Sequence, residues 1–577
     1  MIPFRSHLRF LLLPLLALGI TCSGAGAAAV HRAPVVCSQS GMVVTACPIA
    51  SSVGREILEG GGNAIDAAVA VGFALAVTFP AAGNIGGGGF MLIRLESGEA
   101  AFIDFREKAP LAASRDMYLD ENGDVIPDQS LSGHQAVGVP GSVAGLYRAY
   151  QLHGSMPWPD LIAPAISLAR DGFGVSASLS QSLKRLVPYL ARYPALKKYT
   201  RSNGMPLEEG DVLKQPHLAW TLQTIADDGA DGFYRGEVAD LIVEEMERGG
   251  GLITKEDLSH YEAFIREPVT GSYRGYTTLS APPPSAGGTV LLEILNILEG
   301  FPLGEFGYLS EDAVHAIVEA EKRAYADRAQ YLGDPDFINN PLSTLLSKDY
   351  ASYLRSSIKW EAVSADRLDR GGITAYEGEE TTHYSIMDSR GNAVSTTTTL
   401  NSGYGSKVVV GGGGFLLNNE MDDFSIKPGV PNLYGLTGGE ANAVAPGKRM
   451  LSSMTPTVVL DCGDVFLVLG TPGGSTIITT VAQIIINIID FGMPAGEAVA
   501  TPRFHNQWVP DRIDFEKDAF SGDLIQRLER RGHRCRERPT MIGDAQVILV
   551  QDSLMCGVSD PRGGGKAEGV RAIHVLK

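Results

Sequence analysis

Cysteine is scarce in this sequence, with six in 577 residues. No two of them form a C-x-x-C pair and no histidines show H-E-x-x-H spacing, so nothing supports a zinc site. Basic residues are also in deficit, with 48 Lys and Arg against 66 Asp and Glu and a net charge of -18. That balance argues against nucleic acid or an anionic membrane surface as a partner. The 68 glycines show no G-x-y repeat, which excludes collagen.

Familiar motifs of hydrolase and nucleotide chemistry are missing too. The sequence has no G-x-S-x-G, so a serine hydrolase would lack its usual nucleophile elbow. The Gly-Lys pairs at 447–448 and 565–566 are followed by Arg and Ala, which excludes a Walker A loop. Neither glycine run, 86–89 or 411–414, matches the G-x-G-x-x-G fingerprint of a dinucleotide site. Phosphate and dinucleotide binding are therefore poorly supported.

The first thirty residues have the pattern of a secretory signal peptide. Arg5 and Arg9 precede an apolar run over 10–20, and small residues follow as far as an A-x-A site at 27–29. The run is shorter than the roughly 20 residues of a membrane span, and no later segment reaches that length without polar interruption. Cys22 offers a lipoprotein alternative, although the residues before it fit a lipidation box poorly. We predict export, to the periplasm or by secretion, with cleavage after residue 29.

Removal of that peptide leaves five cysteines, at positions 37, 47, 462, 535 and 556. At most two bridges can form, so at least one cysteine is free or pairs between chains. A chain of this size can bury a core that is stable without disulfides. We therefore interpret the cysteines as incidental.

The chain reads as mainly helical in its first two thirds and as richer in strands afterwards. Residues 51–80 predict two helices separated by a break at 59–63, and a further helix begins at a Ser310 N-cap. Residues 365–380 predict an exposed loop. Residues 427–449 show no periodicity, and a loop of that length inside a domain is usually a lid or disordered.

A hairpin follows the exposed loop. Residues 382–387 and 393–400 have strand composition, and the turn between them contains Gly391. Antiparallel pairing across this turn places Thr381 opposite Thr399, to within a residue or two.

A glycine pair, Gly473-Gly474, lies between a predicted strand at 465–469 and a predicted helix. Backbone without side chains can turn two N–H groups toward one point there, beside the positive end of the helix dipole. That arrangement suits an oxyanion hole for acyl transfer. A tight strand-to-helix turn with no chemical role explains the pair equally well.

Longer motifs follow one another along the chain. The upstream ones are Gly61-Gly62-Asn63-Ala64-Ile65-Asp66-Ala67-Ala68, Gly83-Asn84-Ile85-Gly86-Gly87-Gly88-Gly89-Phe90 and Asp104-Phe105-Arg106-Glu107. The downstream ones are Thr381-Thr382-His383-Tyr384-Ser385, Thr399-Leu400-Asn401, Leu416-Leu417-Asn418-Asn419-Glu420-Met421-Asp422-Asp423-Phe424, Leu451-Ser452-Ser453-Met454-Thr455-Pro456 and Gly470-Thr471-Pro472-Gly473-Gly474-Ser475. In this order they resemble the γ-glutamyltransferases, N-terminal nucleophile hydrolases that cut their own precursor. The resemblance covers essentially the whole chain after the signal peptide.

The resemblance implies an α+β fold, a four-layer αββα sandwich formed jointly by two subunits. It places the precursor cut between Glu380 and Thr381. The chain would then consist of a signal peptide at 1–29, a mainly helical large subunit at 30–380 and a strand-rich catalytic small subunit at 381–577.

The same resemblance implies the catalytic groups. Thr381 would be the nucleophile, and its new α-amine, with a reference pKa of about 7.7–8.0, would be the general base. Thr399 would hold the Thr381 side chain by a hydrogen bond. Gly473 and Gly474 would donate to the oxyanion.

A γ-glutamyl group carries an α-carboxylate and an α-ammonium, so its site needs charges of both signs. By resemblance the carboxylate would be bound by Arg106, Ser452 and Ser453. The ammonium would be bound by Asp423, Glu420 and Asn401. Tyr434, in a loop that resembles the lid of the longer-looped bacterial members, would cover the acyl-enzyme. The glycine runs at 86–89 and 411–414 would let backbone pass close beneath the site.

These roles imply a self-processing enzyme that passes the γ-glutamyl group of glutathione and related donors to water, amino acids or peptides. No cofactor or metal is implied. Two other functions remain: a related glutaryl, cephalosporin or poly-γ-glutamate acylase, and an inactive secreted binding or structural protein. The first need not recognise an ammonium, and the second would be expected to lose Thr381 or the glycine pair.

Overall fold

The computed structural model describes residues 32–365 and 381–574. The predicted signal peptide, Glu380 and nearly all of the predicted exposed loop at 365–380 lie outside the described residues.

Of the seventeen α-helices in the described residues, fourteen lie before residue 365 and three lie after residue 381. The helices are α1 (Pro48–Glu59), α2 (Ala64–Thr78), α3 (Ser142–His153), α4 (Trp158–Asp171), α5 (Ala177–Leu183), α6 (Pro216–Asp228), α7 (Asp231–Tyr234), α8 (Gly236–Gly249), α9 (Lys255–Ser259), α10 (Gly287–Leu298), α11 (Leu303–Phe306), α12 (Glu311–Tyr331), α13 (Leu342–Leu345), α14 (Lys348–Ser356), α15 (Thr476–Ile489), α16 (Ala495–Ala500) and α17 (Gly522–Arg530).

Strands are more frequent after residue 381. The strands are β1 (Val36–Ser38), β2 (Gly41–Thr45), β3 (Gly88–Arg94), β4 (Ala100–Phe105), β5 (Phe173–Gly174), β6 (Val212–Leu213), β7 (Phe264–Arg266), β8 (Val269–Tyr273), β9 (Tyr276–Ser280), β10 (Thr381–Asp388), β11 (Ala393–Thr399), β12 (Thr457–Asp461), β13 (Asp464–Gly470), β14 (Phe504–His505), β15 (Ile513–Phe515), β16 (Cys535–Glu537), β17 (Gln546–Gln551), β18 (Leu554–Ser559), β19 (Lys566–Gly569) and β20 (Ile573–His574).

Two large sheets form the centre of the molecule. The eight-stranded sheet has the order β20-β1-β18-β17-β13-β12-β9-β8, and the seven-stranded sheet has the order β19-β2-β10-β11-β3-β4-β7. Each sheet combines strands from before residue 365 with strands from after residue 381. The interleaving brings the sequence motifs of both halves to the same two sheets.

Three apolar cores separate the layers. Val44, Leu92 and Val468 belong to a core shared by strands of the two sheets. Helices α1–α8 pack on the other face of the seven-stranded sheet, and α10, α12 and α15–α17 pack on the eight-stranded sheet. The alternation of β2 shows the division, because Val43 faces the helical core while Val44 faces the other sheet. The predicted four-layer αββα fold is confirmed.

The predicted break at 59–63 and the predicted helix start at Ser310 are confirmed, and the caps explain them, whereas α1 begins three residues earlier than the predicted 51. The Asn63 side chain accepts from the backbone N–H groups of Ile65 and Asp66, and the Asp66 carboxylate accepts from the Asn63 N–H in return. Ser310 accepts from the Ala313 N–H at the start of α12. The break between α1 and α2 follows from this capping box, which fixes where the second helix begins.

The interpretation of the cysteines as incidental is wrong for two of them. Cys37 in β1 and Cys556 in β18 are directly opposite in the register and form a disulfide. Cys47, Cys462 and Cys535 are free. Sequence spacing could not show this pair, because 519 residues separate its members.

The two glycine runs differ in role. A Cβ at Gly87 would lie 2.1 Å from the Thr399 carbonyl oxygen, so the run at 86–89 does pass close beneath β11. The prediction for the run at 411–414 is wrong. Those glycines lie against α6 and α8, where a Cβ at Gly414 would lie 2.6 Å from the Leu218 nitrogen.

Within 32–365 and 381–574, no α-helix combines the length and the apolar character that a membrane crossing requires.

Candidate active site

The register of the hairpin places two threonines side by side. Thr381 is the first residue of β10 and pairs with Thr399, the last residue of β11, as the sequence predicts. The Thr381 hydroxyl donates to the Thr399 hydroxyl oxygen over 3.4 Å, and that oxygen also accepts from the Asn401 N–H over 2.8 Å. Both threonine side chains are buried. The Thr381 hydroxyl, at the start of a central strand, is thereby held in one orientation.

A small cavity opens beside Thr381. Of the eleven predicted site residues within the described ranges, ten line it, and the eleventh, Gly473, precedes a lining residue. The lining residues are Arg106, Arg328, Thr381, Thr399, Asn401, Glu420, Asp423, Tyr434, Leu436, Ser452, Ser453, Met454, Gly474 and Ile477.

Arg106 is the centre of charge in this cavity. It follows β4, is fully buried, and donates to Glu420 Oε1 and, over 2.5 Å, to Asp423 Oδ2. Its Nε donates to the Met450 carbonyl oxygen over 3.2 Å. The predicted carboxylate-binding arginine therefore pairs with two of the predicted ammonium-binding residues.

The carboxylates around Arg106 are held in a dry environment. Burial raises the pKa of Glu107 to about 7 and that of Glu420 well above its ordinary value, while Arg106 opposes both shifts. Burial also raises the pKa of Asp423. Glu420 Oε2 has no hydrogen-bond partner among the described residues. A cationic group of a ligand would find an acceptor there.

Ser452 and Ser453 lie on the cavity wall just before β12. The Ser452 hydroxyl oxygen accepts from the Met454 N–H over 3.1 Å, and that of Ser453 accepts from Arg328 Nη2, also over 3.1 Å. Because each oxygen already accepts, the O–H protons are left to donate to an anionic ligand.

The glycine pair lies at the opening of α15, after β13. Gly473 has φ +136° and Gly474 has φ +56°, conformations that L side chains rarely adopt. Within the described part of the chain, neither backbone N–H donates to another group. Two free N–H groups at a helix N-terminus, beside a cavity that contains a hydroxyl, can stabilise an oxyanion.

The loop after the short 3₁₀ turn Glu420–Asp423 closes one side of the cavity. Three consecutive residues fasten it: Asn432 Nδ2 donates to Asp423 Oδ1, the Leu433 N–H donates to Asp422 Oδ2, and the Tyr434 hydroxyl donates to the Asn401 carbonyl oxygen.

The Tyr434 ring also covers Gly474, where a Cβ would lie 2.3 Å from Tyr434 Cδ1. The loop therefore depends on a glycine at 474.

Among the described residues, no histidine hydrogen-bonds to Thr381. The nearest in sequence, His383, shares its ring nitrogens with Thr397 and Ser385. Burial lowers the pKa of His383 to about 3, so the ring is neutral at physiological pH. The absence of a triad motif in the sequence agrees with this environment.

Sequence reasoning missed several cavity residues. Arg328, in the last turn of α12, lines the cavity, but a basic residue at a helix end ordinarily favours only the dipole. Glu107 and Asp422 do not line the cavity but lie beside it, next to Arg106 and in contact with the loop at Leu433. Both stand inside the quoted motifs, and nothing distinguished them from structural neighbours. Leu436, Met454 and Ile477 give no chemical signal at all. Within the described ranges, no group of three or more His, Cys, Asp or Glu side chains is placed to hold a metal ion.

Two sheets between helical layers, with a threonine hydroxyl at the start of a central strand, define an N-terminal nucleophile hydrolase. Solved structures agree with this class. A cephalosporin acylase from Bacillus halodurans covers 95% of this chain and 99% of its own at 29% identity, with a TM-score of 0.82.

Residues 50–570 match the family model described as gamma-glutamyltranspeptidase, and the chain belongs to that family. A glutathione hydrolase proenzyme of Pseudomonas sp. (strain A14) is 51% identical over 561 residues, which are 95% of this chain and 97% of that protein. A second, from Escherichia coli (strain K12), is 49% identical over 527 residues, which are 91% of each chain.

Proposed function

We propose that this chain is exported as a precursor, cuts itself between Glu380 and Thr381, and then cleaves the γ-glutamyl amide bond of glutathione and related compounds. The acyl group passes through a Thr381 ester to water or to an amino acid or peptide. The observation that carries the proposal is the Thr381 hydroxyl, held by Thr399 over 3.4 Å beside a cavity with charges of both signs.

Processing uses the same hydroxyl as catalysis. Thr381 Oγ1 attacks the Glu380 carbonyl carbon, the peptide C–N bond breaks, and the acyl group moves from nitrogen to oxygen. Water then hydrolyses the ester and leaves a carboxylate on Glu380 and an α-amine on Thr381. The large subunit becomes 30–380 and the small subunit 381–577, and the two form a heterodimer through the shared sheets.

The α-amine of Thr381 is the general base of the mature enzyme. It takes the proton from Oγ1 as that oxygen attacks the γ-carbonyl carbon, and it returns the proton to the leaving amine. Thr399 holds the hydroxyl in place. The N–H groups of Gly473 and Gly474 stabilise the negative charge on the tetrahedral oxygen. Water or an acceptor amine then attacks the ester and regenerates the hydroxyl.

Recognition of the donor rests on opposite charges at fixed positions. Arg106, Ser452 and Ser453 bind the α-carboxylate, and a guanidinium with two hydroxyls gives that end directional donors. The ammonium is bound by Asp423, by the unpartnered Oε2 of Glu420, and by Asn401. The substrate's two charges thus insert between charges that otherwise pair with each other.

Tyr434 is the proposed lid over the acyl-enzyme. Its contact with Gly474 and its hydrogen bond to the Asn401 carbonyl oxygen close the cavity beside the oxyanion donors. A covered ester is less exposed to water. Attack by an amine acceptor that binds in the cavity is therefore favoured relative to attack by water. Each of these steps uses only groups that the protein, the donor, the acceptor amine or water supplies.

An acylase of the same fold is the second candidate, because the cephalosporin acylase of Bacillus halodurans has a similar structure. The paired Asp423 and Glu420 carboxylates favour a donor with an ammonium. The third alternative, an inactive binding protein, is opposed by the presence of Thr381, Thr399 and the glycine pair together.

One gel and one assay test the proposal. After expression with its signal peptide, the protein should appear as two fragments under reducing conditions, and N-terminal sequencing of the smaller should begin at Thr381. The processed protein should release the chromophore from a γ-glutamyl anilide, faster when a dipeptide acceptor is present. An uncut soluble chain would contradict the processing step. A cut protein that cleaves glutaryl anilide better than γ-glutamyl anilide would favour the acylase.

A further inference from the structure

Arg328 is a buried cation in the cavity that carries no assigned role. It lies on α12, is 5% exposed, and lines the same cavity as Thr381. Its one hydrogen bond to a neighbouring side chain goes from Nη2 to the Ser453 hydroxyl oxygen, and its Nε has no partner among the described residues. A guanidinium is essentially always protonated, so a positive charge stands at this wall.

No carboxylate of the described residues lies within ion-pair distance of Arg328. Burial lowers the pKa of Arg328, Asp423 attracts its charge and Arg106 repels it. A buried charge without a partner is costly, and proteins keep one where a ligand supplies the opposite charge. Arg106 differs in this respect, because Glu420 and Asp423 already pair with it.

The contact with Ser453 gives Arg328 a second effect. The guanidinium donates to the hydroxyl oxygen, so the Ser453 O–H must point elsewhere, and the cavity is the side it lines. The arginine therefore orients a donor toward the ligand in addition to presenting its own charge.

We propose that Arg328 is a second guanidinium of the donor subsite, which binds the α-carboxylate of the γ-glutamyl group together with Ser453 and gives the enzyme its preference for donors that carry this carboxylate. The inference rests on the proposed function and extends it to a residue outside the quoted motifs.

The test compares two donors that differ only at this group. One is γ-glutamyl p-nitroanilide, and the other is 4-aminobutyryl p-nitroanilide, which keeps the amine and lacks the α-carboxylate. The variants are Arg328→Gln and Arg328→Lys. Arg323→Gln is the matched control, because Arg323 is a buried arginine of the same helix that pairs with Glu319 and does not line the cavity.

For Arg328→Gln we expect kcat/KM with the γ-glutamyl donor to fall about tenfold or more beyond the fall with the 4-aminobutyryl donor, mostly through KM. Arg328→Lys keeps the charge and should lose less, which preserves a readout if the Gln variant fails to fold. Arg323→Gln should change kcat/KM by the same factor for both donors. Equal losses on both donors in the Arg328 variants would overturn the inference, whereas a wild-type enzyme inactive on the γ-glutamyl donor would overturn the proposed function.

The Cys37–Cys556 disulfide carries a second, independent inference. The proposed cut at 380–381 separates the two cysteines into different subunits. β1 has only three residues and lies between β18 and β20, so its hydrogen bonds are made with strands from the other side of the cut. A strand that short near a chain end is easily released unless something fastens it.

We infer that the mature protein is a covalently linked pair of subunits, joined by Cys37 and Cys556. Formation of the bond removes two protons and two electrons from the two thiols, and a protein or small-molecule disulfide of the exported compartment accepts them as it is reduced to thiols. The link also rests on the proposed cut.

Alkylated wild-type protein should run as one full-length species without reductant and as two fragments with it. The Cys37→Ser variant should give two fragments in both lanes, and the control Cys462→Ser, which removes an exposed free cysteine, should behave as wild type. Two wild-type fragments without reductant would overturn the link alone. A single full-length species in both lanes would overturn the cut and, with it, the link.

Discussion

The guanidinium of Arg106 lies 2.5 Å from the carboxylate of Asp423, although we propose that these side chains bind opposite ends of one substrate. Each satisfies the charge of the other, and Glu420 joins the pair. A zwitterionic donor can replace this contact with two of its own, so the charges of Arg106 and Asp423 stay paired after binding. A donor with one charge would leave part of the cluster unsatisfied, which is a physical basis for selectivity.

Replacement of Arg106 by lysine should separate its geometry from its charge. A single ammonium cannot reach both Glu420 and Asp423 and still present a fork to the donor, so KM for a γ-glutamyl anilide should rise about tenfold or more. The measurement is steady-state kinetics on processed protein. Arg266→Lys is the control, because Arg266 also bridges two carboxylates but outside the cavity. An unchanged KM in Arg106→Lys would contradict the assignment.

Removal of the nucleophile should abolish both reactions at once. Thr381→Ala should leave the chain uncut and inactive, as judged by a reducing gel and the anilide assay. Thr382→Val is a matched control, because the neighbouring buried hydroxyl has no hydrogen-bond partner in the described structure and its loss should be nearly neutral. Normal processing of Thr381→Ala would refute the mechanism.

The hydroxyl of Thr399 should matter for rate rather than for folding. Thr399→Val keeps the shape and removes the acceptor of the Thr381 proton, so processing and turnover should slow by about tenfold to a hundredfold. Thr397→Val removes a hydroxyl from the same strand that contacts His383 instead, and it should leave the rates near those of wild type. Equal slowing in the two variants would indicate general damage to β11.

A methyl group at residue 474 should displace the lid. The added Cβ of Gly474→Ala would lie 2.3 Å from Tyr434 Cδ1, and the residue has φ +56°. We expect kcat to fall about tenfold or more, with part of the loss recovered when Tyr434→Ala is added. Gly492→Ala is the control for backbone strain, because it has φ +63° and open space around it. Losses that simply add in the double variant would exclude the clash as the cause.

Asp422 should make stability depend on pH. Burial raises its pKa from an ordinary 3.8 to about 6, although the Leu433 N–H and the Ser130 hydroxyl both donate to it. The folded state therefore binds more protons than the unfolded state between these values, and the free energy of unfolding falls as pH rises through them.

Relative to Asp422→Asn, wild type should lose about 2 kcal/mol of unfolding free energy between pH 4 and pH 7, measured by denaturant titration. Glu121→Gln, at an exposed carboxylate, should show no such difference from wild type. A pH-independent difference between wild type and Asp422→Asn would contradict the raised pKa.

Local chemistry made much of the fold predictable. The Ser310 cap, the break before α2 and the register of Thr381 against Thr399 depend on neighbours within a few residues or across one turn, and all three are confirmed. Motif order then indicated which distant segments share a cavity.

The remaining features depend on contacts between residues far apart in sequence, which no local sequence pattern encodes. Arg328 joins the cavity because α12 ends against Ser453, 125 residues away in sequence. Cys37 meets Cys556 because β1 inserts beside β18. The pairing of Arg106 with Asp423 is not expected from the sequence, because the two side chains are predicted to bind opposite charges of the substrate and not each other.

The mixed strand order of the two sheets has a consequence for the lifetime of the mature protein. Strands β1, β8 and β9 of one sheet, and β2, β3, β4 and β7 of the other, precede the proposed cut, whereas the remaining strands of both sheets follow it. Neither fragment could complete either sheet alone, so we expect folding to finish before the backbone is opened. Afterwards unfolding has no simple return path, and the persistence of the processed protein is governed by the rate of the first opening rather than by an equilibrium.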